Sequence, residues 1–236
     1  MISRLLILLV LCFFLSLENH AQYLYYKSPD AQTVRLFSDS AKRVSNIDSN
    51  SLLRRQLNYI LKFYPKMRVK NILVKYTKSS TVVDTRPKFG SIFKLSQQRV
   101  YTIYFSTKTK TTLDSVLLNN LSFNAQLGML ANQVSIIEDM STGGFFNFIG
   151  WYFKHLGRTG KKDIIREAEL KTLEVGLGYQ LLAYNKEVEE KLQINNWTST
   201  KGYGNYFKHY RNQSMRPQKV VNFMSDLPAY VSHTYK

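Results

Sequence analysis

The spacing of apolar side chains changes character repeatedly along this chain, and the changes mark out its elements. Residues 5–15 (LLILLVLCFFL) are apolar without a break. Further on, Leu52, Leu53, Leu57, Ile60 and Leu61 recur at three and four residues, which predicts a helix over 51–63. Pro65 ends it, because proline has no amide to continue the ladder. Four short runs rich in β-branched and aromatic residues come next, separated by polar links, and predict strands over 69–75 (VKNILVK), 81–84, 90–96 (GSIFKLS) and 99–106 (RVYTIYFS).

Beyond Thr112 the helical period returns. Leu127, Leu130, Ala131, Val134 and Ile137 form one stripe of a helix that starts near Ser122 or Asn124 and stops at the Ser141-Thr142-Gly143-Gly144 break. Residues 145–156 are apolar and aromatic, 157–160 read as a turn, and 161–175 and 177–192 read as two amphipathic helices parted at Gly176. Gly202 to Asn205 reads as a loop, and Pro217 suits the first turn of a short helix through Met224. No internal repeat is visible. The pattern predicts one α+β domain over 22–236, with a small twisted sheet in its N-terminal half (strand-bearing part 66–112), a mainly helical C-terminal half (121–193) and a Tyr-rich basic tail (194–236).

The first apolar run follows Arg4 and leads into a polar, small-residue exit at Ala21. That arrangement predicts a signal peptide over 1–21 and export to the periplasm or exterior of a bacterium. The run is shorter than the ~20 residues a membrane-crossing helix needs, so no transmembrane span is expected after its removal. Cys12 is the one cysteine and lies inside this segment. The remaining chain then has no disulfide, no thiol nucleophile and no thiolate metal site.

Composition adds a core and a charge. Hydrophobic residues make up 44% and aromatics 14%, including 16 Tyr and 14 Phe, enough apolar material to exclude general disorder. Lys and Arg total 33 against 16 Asp and Glu, a net charge of +17. The excess belongs to the two ends, because residues 121–200 carry 8 basic and 9 acidic side chains. Outside a cytoplasm such a field favours anionic lipid, glycan or protein surfaces rather than nucleic acid, and it equally suits a plain solvated face.

Catalytic motifs are mostly missing. The histidines after the leader are His155, His209 and His233, with no pair at i and i+4 and no H-E-x-x-H. Neither G-x-S-x-G nor a phosphate-binding P-loop occurs. Gly176-Leu177-Gly178 sits between predicted helices with no strand before it, which favours a helix corner over a nucleotide loop. The aromatic-basic stretch at 203–211 (YGNYFKHYR) resembles single-strand binders in composition, but export favours Tyr packing. Asn120, Asn196 and Asn212 begin N-x-[ST] triplets.

Two blocks are more specific. Residues 121–140 (LSFNAQLGMLANQVSIIEDM) and 166–180 (REAELKTLEVGLGYQ) resemble exported bacterial zincin-like metallopeptidases. In that family the first block carries the active-site helix, and a later helix with a G-L-G corner supplies the third metal ligand. Phe123 to Gln126, Gly128 and Asp139 match the first block; Ala168, Glu174, Gly176, Leu177 and Gly178 match the second. The resemblance implies a zincin-like fold and puts the first histidine at Asn132, the general base at Gln133, the second histidine at Ile136 and the third ligand at Ile165. Amides are poor zinc ligands and do not take up protons near neutral pH, and isoleucine cannot ligate. The expectation is therefore no zinc, no other cofactor and no catalytic residue: a pseudo-metallopeptidase acting by binding.

Other readings stay open on the same residues. The two helices also fit a plain helical core with Asn132 and Gln133 on a polar edge. Asp163 and Glu167, at i and i+4, would converge with His155, and Glu169 lies close by, giving acidic candidates for a hydrolase with rearranged ligands. A solvated acidic face suits them as well. The basic ends suit a module for anionic envelope components.

Overall fold

The computed structural model describes residues 29–30, 32, 34, 44–45, 51–109, 112–142, 145–156, 158–194 and 215–231. The expected signal peptide with Cys12, the loop at 202–205, the aromatic-basic stretch at 203–211, His209, His233 and the triplets at Asn196 and Asn212 lie outside these residues. Helix α1, Leu52–Phe63, begins where expected because the Ser51 hydroxyl accepts from the Arg54 amide at 3.2 Å. Its apolar face is Leu53, Leu57, Ile60 and Leu61, whereas Leu52 is exposed. Pro65 opens a 3-10 turn, Pro65–Met67, that carries the chain to the sheet.

Four strands form that sheet: β1 Val44–Ser45, β2 Asn71–Ser79, β3 Val83–Pro87 and β4 Val100–Thr109, in the order β1-β2-β4-β3. β1, β2 and β4 run parallel, and β3 is antiparallel against the outer side of β4. In β4 consecutive residues Tyr101, Thr102 and Ile103 are all buried, as in a parallel strand covered on both faces. The two residues of β1 are too few for a periodic signal.

No strand forms over 90–96. Phe89–Ser91 is a 3-10 turn, and the chain loops on through turns to residue 99. Side chains close the neck of this loop: the Ser91 hydroxyl donates to the Lys88 carbonyl at 2.7 Å and accepts from the Val100 amide at 3.0 Å. Phe93, Lys94 and Leu95 are exposed one after another, so their composition imitates a strand without the alternating burial of one.

The helical half comprises α2 Phe123–Ser141, α3 Phe145–Leu156, α4 Arg158–Glu174, α5 Gly178–Lys191, α6 Pro217–Asp226 and α7 Pro228–Val231. Ser122 caps α2 by accepting from the Ala125 amide. A single apolar stripe was expected on α2, but Leu127 through Glu138 are all buried, because α1, α4, α5 and β3 surround it. Gly128 permits the closest of these contacts, since a Cβ there would collide with the Gln180 carbonyl of α5. Inside, Tyr64, Ser135 and Thr172 join hydroxyls across α1, α2 and α4 at 2.7 and 3.0 Å, and burial pushes the Tyr64 hydroxyl up from its ordinary pKa.

The turn expected at 157–160 is displaced. α4 begins at Arg158, and Gly160 is helical because its bare Cα lets the Lys154 carbonyl of α3 approach. Gly176-Leu177-Gly178 is the expected helix corner, with Gly176 at φ +92°. Tyr230 of α7 locks that corner: its hydroxyl donates to the Leu173 carbonyl at 2.6 Å and accepts from the Gly178 amide at 2.8 Å. Among the described residues no helix is long and apolar enough to cross a membrane.

Candidate functional site

The middle of α2 places Asn132, Gln133 and Ile136 at i, i+1 and i+4, hence on neighbouring parts of one face. That face lies below β3, the edge strand of the sheet. α4 crosses on the other side and brings Ile165 to the same space. All four residues line one cleft of about 620 Å³, within the ~300–1,000 Å³ range of small-ligand sites. β3 and its flanks form one wall; Trp151 and Tyr152 of α3 and Ile164 of α4 complete the other.

Hydrogen bonding in the cleft differs from one amide to the other. The Gln133 carboxamide oxygen accepts from the Thr85 hydroxyl at 2.9 Å, which ties α2 to β3 and orients the side chain. Asn132 is 5% exposed, and its Oδ1 has no hydrogen-bond partner. A buried amide oxygen left unpaired costs about 1–3 kcal/mol, so the site carries an unmet demand for a donor. Ile136, Ile164 and Ile165 surround the amides with aliphatic surface.

Among the described lining residues the one carboxylate, Asp84, is paired with Arg86 at 2.5 Å, and Arg86 also lies over the Tyr104 ring at 5.6 Å. Beneath the cleft, Trp151 donates its indole N–H to Asp139 at 2.8 Å. Burial first, then the nearby Glu167 charge, pushes the Asp139 carboxyl up from 3.8; the Trp151 hydrogen bond and the cations of Lys154 and Lys171 oppose the shift.

The backbone of β3 offers a further binding element. The Lys88 amide donates to the Val100 carbonyl, and the Ser106 amide donates to the Val82 carbonyl. In this antiparallel register residues 84 and 86 therefore bond to β4, while Thr85 turns its backbone N–H and C=O, and Pro87 its carbonyl, to the other side of the strand. Among the described residues β3 pairs only with β4.

The acidic candidates do not gather in the cleft. Asp163 is exposed, Glu167 is bound to Lys154 at 2.8 Å, and Glu169 is wholly buried on another face, accepting from the Met215 amide at 2.7 Å. The side chain of His155 lies outside the described residues. Among the described residues no three His, Cys, Asp or Glu side chains are placed to hold a metal ion. The described lining provides two amides, aliphatic surface and the Asp84–Arg86 pair beside the strand β3.

Sequence reasoning missed Thr85, Trp151 and Ile164. Thr85 lies one residue beyond the strand predicted at 81–84, and the other two sit within apolar stretches that resemble any core. No family model, curated protein or solved structure matches this chain.

Proposed function

We propose that this chain is an exported zincin-like protein without catalysis, a pseudo-metallopeptidase whose former metal site serves as a binding cleft. One observation carries the reading: Ile165 of α4 lines the same cleft as Asn132, Gln133 and Ile136 of α2, the four positions singled out by the resemblance as three ligands and a base. The α+β order supports it too, with the sheet first and the two matching helices crossing below its edge strand.

The ligand class follows from the wall. An extended peptide laid along β3 would take up the backbone groups of Thr85 and the carbonyl of Pro87, and strand addition of this kind draws affinity from main-chain hydrogen bonds. A donor on that peptide, a backbone amide or a side-chain N–H, would satisfy Asn132 Oδ1. Aliphatic or aromatic side chains would fill the space beside Ile136, Ile164 and Ile165.

Metal analysis tests the reading in two arms. The unsubstituted chain is expected to purify without zinc. A chain carrying Asn132→His, Gln133→Glu, Ile136→His and Ile165→Glu is expected to bind zinc stoichiometrically, because the four positions already converge. Stoichiometric zinc in the unsubstituted chain would sink the non-catalytic assignment. A restored variant that keeps its circular dichroism spectrum yet takes up no zinc would sink the inherited geometry.

A further inference from the structure

A second feature lies at the mouth of the cleft, on the surface rather than inside. Phe89 is 81% exposed, Phe93 77%, Leu95 74% and Phe146 85%, values unusual for side chains of this size. They belong to two segments, the loop between β3 and β4 and the start of α3, and they meet. The Phe93 and Phe145 ring centroids are 6.1 Å apart, and those of Phe145 and Phe146 5.9 Å. Tyr152 and Phe153 continue the aromatic face along α3.

The patch is held rigidly from beneath. Arg99 is buried with its guanidinium 4.8 Å from the Phe148 ring centroid, and its Nε donates to the Lys94 carbonyl at 3.1 Å, joining the loop to α3. Lys70 reaches the loop from the neighbouring turn, donating to the carbonyl and hydroxyl oxygens of Ser96 at 3.0 and 2.9 Å. The aromatic tips are therefore presented by an ordered base.

The two segments themselves carry only cations, while Glu167 of α4 pairs with Lys154 beside Tyr152 and Phe153. No Asp or Glu occurs over residues 85–113 or 140–162, the stretches that contain both segments. Lys88 and Lys94 are exposed and alternate in sequence with Phe89, Phe93 and Leu95. Aromatic and aliphatic tips among unpaired-sign cations complement an interface that is apolar below and anionic at its surface, as a bilayer of acidic phospholipids is. A neutral protein partner would leave the cationic rim unmatched.

We infer that the Phe89–Leu95 loop and the exposed face of α3 dock this protein onto an anionic phospholipid surface, with Phe93, Leu95, Phe145 and Phe146 entering the interface and Lys88 and Lys94 meeting the headgroups. Docking does not depend on the cleft, but Phe89, Ile92 and Tyr152 also line the cleft mouth, so the bound orientation turns that mouth toward the membrane.

The test uses the full chain with Cys12→Ser and one new cysteine carrying an environment-sensitive dye, either Phe93→Cys in the loop or Asn222→Cys on exposed α6. With vesicles of phosphatidylcholine and phosphatidylglycerol, the dye at 93 is expected to shift to the blue and the dye at 222 to stay as in water. Each lysine near such a surface contributes about a fivefold factor in binding, so adding Lys88→Ala and Lys94→Ala is expected to weaken the titration at 93 about twenty-five-fold. Because the reporter is local, attachment through the apolar leader alone would leave position 93 in water and overturn the inference. Equal shifts on pure phosphatidylcholine would overturn it as well, and so would a blue shift without vesicles that grows with protein concentration, the mark of a second copy on the patch.

Discussion

Half-buried Asp139 and buried Asn132 show how much a single position on α2 depends on its surroundings. Asp139 matches the trailing acid of the zincin-like block, yet its partner is the Trp151 indole, and burial together with Glu167 raises its pKa above the ordinary 3.8. The raised value means that the folded state holds the proton more tightly than the unfolded chain does. Asp139 therefore favours folding at pH below 3.8, and that contribution is lost as pH climbs through the folded-state value. Asp139→Asn keeps an acceptor for Trp151 and removes the ionisation. Thermal melts at a series of pH values are expected to show the variant more stable near neutrality, with the difference vanishing under strongly acidic conditions. The neighbouring residues were legible in sequence only as a departure from a motif. That Gln133 is satisfied by Thr85 while Asn132 Oδ1 is left open depends on β3, which lies 48 residues away in the chain at that hydrogen bond.

At the scale of elements, periodicity located most helices because caps and apolar spacing are local. Ser51 and Ser122 each accept from an amide three residues on, so both helix starts were readable. The strand read over 90–96 was misplaced for an equally physical reason: a run such as Ile92, Phe93 and Leu95 encodes apolar content but not a neighbouring strand to pair with. α2 conveys the same lesson in reverse, since its stripe described one contact face and its full burial required four neighbours. Gly128 is the point where those neighbours come nearest. Gly128→Ala is expected to cost about 1–3 kcal/mol by forcing α5 away from α2, seen as a lower denaturation midpoint. A midpoint equal to that of the parent chain would mean that the two helices can separate without loss.

Across the whole molecule, the C-terminal helices α6 and α7 are tied to the helical core. Tyr230 in α7 bonds the corner between α4 and α5, and Met215 bonds to the buried Glu169. Tyr230→Phe removes a hydroxyl that serves one donor and one acceptor, both buried. A loss of about 1–3 kcal/mol is expected, in one cooperative transition because the corner belongs to the same core as α2. Separate unfolding of the α6–α7 segment, followed by hydrogen exchange, would contradict that unity.

Sequence by itself determined the α+β class, the order of strands before helices, the helix starts and the cationic excess, because each depends on neighbouring residues or on simple sums. Only the tertiary structure decided that Asn132, Gln133, Ile136 and Ile165 share a cleft, that Asp163, Glu167 and Glu169 do not, and that the aromatics of residues 89–95 and α3 meet on one face. Apart from the three neighbours on α2, those facts join residues on different elements, far apart in the chain. Their meeting is set by how sheet and helices pack, which no local period records.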